Sequence, residues 1–427
     1  MGRPAFQRFL TTPATTTGVR WGGQYATWAE LSASRCDQVR PGGAYVVDPA
    51  SGLASLAALF AVASVPDTTL LWATVDAVAG GRRELMPGLH EIDAPLVSTT
   101  DRPLWGVATS GSTGLAKLAI GHADAWELVA LHYERAMLQP TFSGRTPATL
   151  ATCLPLQFSA AFFMTVLPSL FLQRDLVVFP PHDWSAVAQA RGDTFVLSVP
   201  AVAAAACVGT PTPLEMGHVA LFLGGGHVTK TRVDLIRDRF RGASLANLYG
   251  TAETGAIAVD PDPGHNQHVG TPIPGKAVWI QNPDARGVGR VAVSGVDCCR
   301  HLWSPGEPPR PTGDQIASTD YGRFDAAGNL CLEGRVDGGE KLRGVLVYPR
   351  AIERHLLLLP GVADARVLVE RTDSGLERLV ARIVGEVDPA AVREHCQDLA
   401  ENERPGVVDV VSERAAGAVY NANGKLR

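Results

Sequence analysis

The sequence predicts an α/β protein with a large amino-terminal domain of doubly wound α/β sheets, a β-rich subdomain and a small α+β carboxyl-terminal domain. Strand-like and helical segments alternate through the first part of the chain, which is typical of parallel, doubly wound sheets. Short strands and turns follow from about residue 275, and the segment after residue 335 carries strands and a helix of its own. We therefore expect a core at 1–335, with its β-rich part at about 275–335, and a second domain at 336–427.

The predicted elements follow in chain order. A capping box formed by Thr27 and Glu30 predicts a short helix within 24–38. Apolar periodicity predicts further helices at 51–65, 124–138, 158–172 with an interruption at Pro168, after Pro200, 229–240 and 390–399. Strands are predicted at 45–47, 68–73, 149–156, 175–179, 194–199, 219–223, 278–281, 290–294, 330–333, 365–369 and 378–384.

The composition excludes several classes of protein. A net charge of -5 and a pI near 6.1 provide no basic surface for nucleic acid or an anionic membrane. The longest apolar run, 53–65, is too short to cross roughly 30 Å of bilayer. Seven scattered cysteines without a Cys-x-x-Cys pair predict neither a disulfide framework nor a zinc site. The first residues lack a signal-peptide pattern, so a cytoplasmic protein without a nucleic-acid or membrane partner is expected.

A hydroxyl- and glycine-rich segment spans residues 108–117. It contains Thr109, Ser110, Gly111, Ser112, Thr113, Gly114 and Lys117. Glycines let backbone N–H groups surround a ligand, so this composition is suited to cradling phosphates. Because Lys117 follows the last glycine by three positions instead of one, the segment is not a P-loop. A flexible Ser/Thr/Gly linker is the alternative, but the apolar residues on both sides predict strands that enter and leave a loop.

Further segments carry glycine, aromatic and charged residues in a definite order along the chain. They contain Gly224, Gly225 and Gly226; Asn247, Tyr249, Gly250, Thr251 and Glu253; Asp320; Arg335 and Asp337; Lys341 and Gly344; and finally Lys425. Each segment alone is a weak signal, whereas their common order is specific.

In this order and at these distances, the motifs resemble those of the adenylate-forming superfamily, which includes acyl- and aryl-CoA synthetases, adenylation domains of peptide synthetases, and luciferases. The resemblance extends from about residue 25 to the carboxyl terminus. It implies that residues 109–114 and Lys117 hold the β- and γ-phosphates of ATP. It also implies that Glu253 binds Mg²⁺, since a hard cation prefers a carboxylate oxygen.

The resemblance further assigns the nucleoside contacts. Tyr249 would lie against adenine, in a slot completed by Gly224–Gly226, Asn247, Gly250 and Thr251. Asp320 would accept the ribose hydroxyls, with Arg335 as a second ribose contact. Residues 336–427 would form a mobile lid that turns about Asp337, bringing Lys425 to the cleft for adenylation and Lys341 and Gly344 for thiol transfer.

Three positions depart from the family pattern. Ala116 replaces a proline, and Ala252 replaces a threonine that would touch the α-phosphate, leaving Thr251 or Thr254 as substitutes. Phe158 stands where many relatives have a histidine. An apolar pocket of Phe158, Ser159, Phe162 and Phe163 would then favour an aryl or medium hydrophobic acid, and its lack of an acidic residue argues against recognition of an α-amino group.

Other constellations give weaker hypotheses. His265 and His268 have the spacing of metal ligands, but the sequence offers no third ligand near them. Ser110 or Ser112 with His122 does not make a hydrolase, because the Gly-x-Ser-x-Gly elbow is missing. Residues 270–277 match a P-loop as far as Lys276, then end in alanine where magnesium needs a hydroxyl.

The sequence thus predicts an acid–thiol ligase that forms AMP. A carboxylic acid and Mg-ATP would give an acyl adenylate, and a pantetheine thiol of CoA or of a carrier protein would then take the acyl group. Because no carrier domain is evident in the sequence, the acceptor is expected to be a separate molecule. Two alternatives stay open: a degenerate nucleotide-binding relative without turnover, and a ligase that uses an amine acceptor.

Overall fold

The computed structural model describes residues 12–78, 81–93, 104–108, 117–210, 212–265, 268–304, 307–335, 340–342, 345–371, 377–415, 419–420 and 426. It is a mixed α/β structure, which confirms the predicted fold class. The α-helices of the described residues are Trp28–Ser32, Leu53–Ala63, Ala125–Tyr133, Gln139–Thr141, Ser159–Ala161, Leu167–Phe171, Ser185–Ala188, Pro200–Gly209, Lys230–Arg239, Pro349–Leu356 and Pro389–His395. None of the described helices is both long and apolar enough to cross a bilayer.

The larger sheet has nine strands within the described residues. Their spatial order is Thr271–Pro272, Gly255–Asp260, Ser244–Thr251, Val219–Gly224, Thr194–Ser198, Thr149–Thr152, Asp175–Val178, Gly18–Trp21 and Gln24–Thr27. The middle of the sheet is parallel, and antiparallel pairs close both edges. The carboxyl ends of the parallel strands therefore meet along one edge, where such folds bind ligands.

Both faces of this sheet are buried. Alternate residues of a strand point to opposite faces, and Phe195 and Leu197 pack in a different apolar cluster from Val196. The first cluster contains residues of Ala125–Tyr133 and Leu167–Phe171, and the second contains residues of Pro200–Gly209 and Lys230–Arg239. Helices thus cover the sheet on its two sides, as in a doubly wound fold.

A second sheet has eight strands in the described part of the chain. Their order is Arg310–Pro311, His301–Trp303, Leu118–His122, Leu104–Ala108, Thr69–Trp72, Ala44–Val47, Leu89–Ile92 and Arg82–Met86. Leu104–Ala108 and Leu118–His122 are antiparallel, with Ala108 opposite Leu118. The strands predicted on either side of the hydroxyl-rich loop are therefore present, and the loop joins two adjacent strand ends.

A four-stranded antiparallel sheet provides the β-rich region. Its order is Ala277–Gln281, Gly289–Ser294, Ile316–Phe324 and Leu330–Arg335. The register of its last pair sets Asp320 directly opposite Arg335. Two short two-stranded sheets are also present. One pairs Leu214–Glu215 with Phe240–Arg241, and the other pairs Glu340–Leu342 with Val345–Val347.

The carboxyl-terminal unit, defined here as the described residues from 340 onward, has its own core. Val362–Arg371 and Glu377–Gly385 are antiparallel, and Val407–Val411 joins them in parallel. An apolar cluster that includes Leu342, Ile352 and Val367 lies within this unit. Leu426 packs against Ala363 and Val384, which anchors the end of the chain.

Two local predictions needed correction. Within 24–38, Gln24–Thr27 forms a strand and only Trp28–Ser32 is an α-helix, although the Thr27–Glu30 capping box is present. Pro168 does not interrupt the 158–172 segment, because it lies in the first turn of Leu167–Phe171, where a missing N–H is tolerated. The irregularity lies earlier, in the π-helix Phe162–Val166. A second π-helix, Glu134–Leu138, follows Ala125–Tyr133, and 3-10 turns occur at Pro49–Ser51, Val75–Ala77, Cys396–Asp398 and Glu401–Glu403.

Candidate active site

A cleft of about 350 Å³ lies between the carboxyl ends of the large sheet and the carboxyl-terminal unit. It contains six residues that the sequence predicted for nucleotide binding: Gly225, Gly226, Asn247, Tyr249, Gly250 and Asp320. The carboxyl-terminal unit contributes a wall that includes Arg350, Arg354, Arg366 and Leu426. The volume is in the range of pockets that enclose small molecules.

Close packing of two strands explains the glycines at the cleft edge. Gly224 pairs with Leu248 on the neighbouring parallel strand. A Cβ atom at position 224 would come within 2.9 Å of the Leu248 carbonyl oxygen. Gly225 then turns the chain with a φ of 75°, in the left-handed region that favours glycine. The backbone can therefore line the cleft without side chains that would occupy it.

Tyr249 and Asp320 meet across the cleft although they belong to different sheets. The Tyr249 hydroxyl donates a hydrogen bond of 2.6 Å to Asp320 Oδ2. The Asp320 backbone N–H donates to Ser318 Oγ at 3.0 Å, a bond within the strand Ile316–Phe324. Arg335 stands opposite Asp320 in the strand register. An ionised carboxylate only accepts hydrogen bonds, so Asp320 has acceptor capacity left for hydroxyl groups of a ligand.

Glu253 lies in the turn between Ser244–Thr251 and Gly255–Asp260, next to the cleft strands but not on the described cleft wall. Its backbone carbonyl accepts a 2.8 Å bond from the Cys299 N–H. Within the described residues its half-buried carboxylate has no hydrogen-bond or ion-pair partner. The hydroxyls of Thr251 and Thr254 lie 2.9 Å apart. Thr254 is fully buried, so Thr251 is the more accessible of the two.

A buried polar cluster supports this turn, and no sequence pattern predicted it. Lys276 Nζ contacts the carboxylate of Asp297 and the Thr254 carbonyl, and both charged side chains are almost completely buried. The Tyr133 hydroxyl donates to Asp297 Oδ2 at 2.5 Å and accepts from the Ala256 N–H at 3.2 Å. Burial and the neighbouring Asp297 raise the pKa of Tyr133 well above its usual value. The cluster thus fixes the backbone that follows Glu253, at Thr254 and Ala256.

The aromatic residues predicted for the acid pocket lie outside the described cleft. Phe162 is fully buried, with its ring centroid 4.6 Å from that of Trp72 and 4.9 Å from that of Trp126. Phe163 packs 6.5 Å from Trp126, and Phe158 packs against the same core. Neither they nor Ser159 borders the described cleft. The structure therefore places Phe162 in the hydrophobic core and does not bring these four residues to the described cleft.

Several predicted residues lie outside the described residues: Thr109, Ser110, Gly111, Ser112, Thr113, Gly114, Asp337, Gly344 and Lys425. Lys117 is exposed at the start of the strand that follows the loop. Lys341 is in the strand Glu340–Leu342. Leu426, the neighbour of Lys425, borders the cleft and forms a β-bridge with Tyr420.

A network centred on Arg232 holds the carboxyl-terminal unit against the large sheet. Arg232 is 1% exposed and contacts Asp364 Oδ2 at 3.0 Å and Glu413 Oε1 at 3.2 Å, as well as the Tyr420 hydroxyl. His227 Nδ1 lies 2.9 Å from Asp364 Oδ1. Burial raises the pKa of Asp364, but Arg232 and His227 outweigh it and hold that pKa well below its usual range. The network contacts the strand that carries the wall of the cleft.

The two histidines with metal-like spacing find a third group in the structure. Asp260, at the end of its strand, joins His265 and His268, and their ligand atoms lie within 4.8 Å of one another. His265 Nε2 is 2.6 Å from Asp260 Oδ2, and His268 Nδ1 accepts the Gly270 N–H at 3.1 Å. These hydrogen bonds use groups that a metal would need, and they tie the loop to the strand.

The chain is similar in sequence to proteins of known function. The sequence profile of a family described as AMP-binding enzyme matches residues 59–302, more than half of the chain. An L-proline–[L-prolyl-carrier protein] ligase of Pseudomonas fluorescens is 28% identical over 283 residues, 61% of this chain and 54% of that protein. Tyrocidine synthase 2 of Brevibacillus parabrevis is 25% identical over 316 residues, 68% of this chain and 9% of that protein. The chain thus spans about half the length, or much less, of these curated relatives.

Solved structures share the fold over nearly the whole chain. ATP-bound MatB from Rhodopseudomonas palustris superposes with a TM-score of 0.69 at 18% identity, covering 96% of this chain and 95% of that chain. The anthranilate CoA ligase AuaEII, in complex with anthranoyl-AMP, gives 0.71 at 16% identity over 99% and 94%. The amide bond synthetase McbA from Marinactinospora thermotolerans gives 0.64 at 21% identity over 98% and 97%.

Proposed function

The chain belongs to the AMP-binding enzyme family, and from this premise we propose that it is an ATP-dependent acid–thiol ligase. The resemblance to adenylate-forming enzymes noted in its motifs is thereby confirmed. In the proposed first step a carboxylate oxygen attacks the α-phosphorus of ATP, the bond to pyrophosphate breaks, and an acyl adenylate forms. In the second step a thiol sulfur attacks the acyl carbon and AMP leaves.

The observation that carries this proposal is the meeting of Tyr249 and Asp320 at one cleft beside Gly225 and Gly226, with Arg335 opposite Asp320 in the strand register. An aromatic ring, a carboxylate and a glycine edge provide a stacking surface, an acceptor for ribose hydroxyls and room for the base. The three residues come from two different sheets, so only the folded chain brings them together. We assign the adenine to Tyr249 and the ribose to Asp320 and Arg335.

We further propose that the loop 109–114 and Lys117 bind the β- and γ-phosphates. The loop joins adjacent strand ends, and Lys117 is exposed immediately after it. Glu253 fits a Mg²⁺ ligand, because its carboxylate has no partner in the described part of the chain and Mg²⁺ prefers oxygen ligands. Bound Mg²⁺ would neutralise phosphate charge. The Lys276–Asp297 cluster would hold Glu253 in place.

Residues 336–427 are proposed to act as a lid, with Asp337 as its hinge. The position of Leu426 on the cleft wall and the Arg232 network support an arrangement in which Lys425 serves the first step. A cation there would balance the charge that develops between the acid and the α-phosphate. Rotation of the lid would then bring Lys341 and Gly344 to the thiol.

We propose a carrier-protein or CoA thiol as the acceptor and an aryl or medium hydrophobic acid as the substrate. The carrier-protein ligase among the relatives supports the thiol acceptor. The amide bond synthetase among the structural neighbours keeps an amine acceptor as the second candidate. Mass analysis of the products after addition of CoA, holo-carrier protein or amines would identify the acceptor.

ATP–pyrophosphate exchange over a panel of acids tests the activity itself. We expect exchange that requires Mg²⁺ and rises with one class of acid. Nucleotide binding without exchange for any acid would instead support a relative that binds nucleotide without turnover.

A further inference from the structure

Three arginines of the carboxyl-terminal unit border the cleft, and two of them contact a carboxylate. Arg350 lies 2.9 Å from Glu353, and Arg354 lies 2.8 Å from Glu333. The third, Arg366, has no carboxylate partner among the residues that the structure describes. Its half-buried side chain has an Nε that is shielded from solvent and makes no hydrogen bond within the described residues. The cleft therefore contains one guanidinium that no described carboxylate contacts.

The strand geometry turns Arg366 toward the large sheet. Alternate residues of Val362–Arg371 share a face, and Asp364, two positions earlier, contacts Arg232 of the large sheet's helix. Arg366 follows on that face and borders the same cleft as Tyr249 and Asp320. The side chain is thus placed where a ligand held by Tyr249 and Asp320 can be reached from the carboxyl-terminal unit.

Fold stability does not account for an arginine at this position. The residue directly opposite on the neighbouring strand is another arginine, Arg382. Glu370 lies 3.3 Å from Arg382 and 3.4 Å from Arg378, so this nearby carboxylate already forms ion pairs with two other arginines. Like charges on facing positions of a sheet are destabilising. An anion that binds in the cleft would remove this repulsion.

We propose that Arg366 binds a phosphate group of a ligand in the cleft. A guanidinium presents a planar set of N–H donors that matches phosphate oxygens in a bidentate geometry, and a half-buried position strengthens the bond. The phosphate belongs either to the nucleotide or to a phosphopantetheine arm of the acceptor. This inference rests on the proposed function for the identity of both ligands, but its test does not require turnover.

The test compares pairs of ligands that differ only in phosphate. Affinities of AMP and adenosine, and of 4′-phosphopantetheine and pantetheine, are measured by calorimetry for the wild type, Arg366→Gln, Arg366→Lys and the control Arg382→Gln. If the nucleotide supplies the phosphate, Arg366→Gln weakens AMP binding about tenfold or more and leaves adenosine binding unchanged. If the acceptor supplies it, the same loss appears for 4′-phosphopantetheine and not for pantetheine. Arg366→Lys recovers part of the affinity in either case.

The melting temperature of each variant distinguishes binding from folding. Arg366→Gln is expected to melt no lower than the wild type, since it removes a like-charge pair. Equal affinities of Arg366→Gln and wild type for both phosphorylated ligands would overturn the inference. An equal loss in Arg382→Gln, or a loss that accompanies a lower melting temperature, would overturn it as well. Arg366-dependent AMP binding without pyrophosphate exchange would contradict the proposed function and leave the role of Arg366 intact.

Discussion

The Tyr249 hydroxyl lies 2.6 Å from Asp320 Oδ2 and links the end of a parallel strand to the β-rich sheet. The contact joins two residues 71 positions apart and lies in the part of the cleft to which we assign the nucleoside. Each partner can be substituted while the other is kept, so the contribution of each residue to AMP binding can be measured separately.

Asp320→Ala should weaken AMP binding about 10- to 100-fold, because the ribose hydroxyls lose a charged acceptor. Tyr249→Phe should cost less than about tenfold, since the ring remains and water can replace the lost hydroxyl at this half-exposed site. Titration calorimetry with AMP measures both. Tyr348→Phe, at an exposed tyrosine, is the matched control. Unchanged AMP affinity in Asp320→Ala would contradict the nucleoside assignment.

Arg232→Met should destabilise the contact between the carboxyl-terminal unit and the large sheet. The substitution leaves Asp364 and Glu413 buried without their cation, and breaking such a buried pair costs about 3–5 kcal/mol of unfolding free energy. Chemical denaturation measures the change. Arg237→Gln on the same helix is the control, because Arg237 pairs with a largely exposed Asp262 and should change stability by about 0.5 kcal/mol or less. Similar losses in the two variants would contradict a special role for Arg232.

The same network predicts an acid-sensitive stability. The pKa of Asp364 is lowered in the folded protein from an ordinary value of 3.8. A lowered pKa means that the unfolded chain binds the proton more readily, so the stabilisation is present above pH 3.8 and is lost as pH falls toward the folded pKa. Acid unfolding curves should therefore be shallower for Asp364→Asn than for the wild type below pH 4. Parallel curves for the two proteins would show that Asp364 is not the linked group.

Lys276→Met should lower both stability and Mg²⁺-dependent exchange, because Asp297 loses its cation under the turn that carries Glu253. The loss of unfolding free energy is expected at about 3–5 kcal/mol. Adding Asp297→Leu to this variant should restore much of the stability, since an apolar pair leaves no buried charge. Exchange should recover less than stability, because the Thr254 carbonyl and the Tyr133 hydroxyl would still lack their polar contacts. Additive losses in the double variant would contradict the pairing.

Much of the fold could be predicted from local sequence. Strands such as Thr69–Trp72 and Val219–Gly224 are short apolar runs bounded by polar residues or glycine, and these patterns depend only on neighbouring positions. The alternation of such strands with helices was enough to predict the parallel, doubly wound sheet. The strand at residues 24–27 was not predicted. It forms because these residues pair with residues 18–21, which lie outside the segment predicted to be helical.

The sequence also predicted that Tyr249 and Asp320 share a site, since both lie in motifs with a characteristic order, and the two residues meet in one cleft. The polar contacts that support the cleft could not be predicted from the sequence. Arg232 and Asp364 are 132 positions apart, and Tyr133 and Asp297 are 164 apart, so no local pattern connects them. Phe162 illustrates a different difficulty, because an aromatic residue in the sequence is compatible with a ligand pocket and with a hydrophobic core. Only its packing against Trp72 and Trp126 in the folded chain identifies it as a core residue.

Acid-dependent ATP–pyrophosphate exchange, measured for the wild type and Asp320→Ala across a panel of aryl and hydrophobic acids, tests the central claim most directly. The account predicts exchange by the wild type with at least one acid class and a loss of about tenfold or more in Asp320→Ala. No acid-dependent exchange by the wild type at high enzyme concentration, or equal exchange by the two proteins, would contradict it.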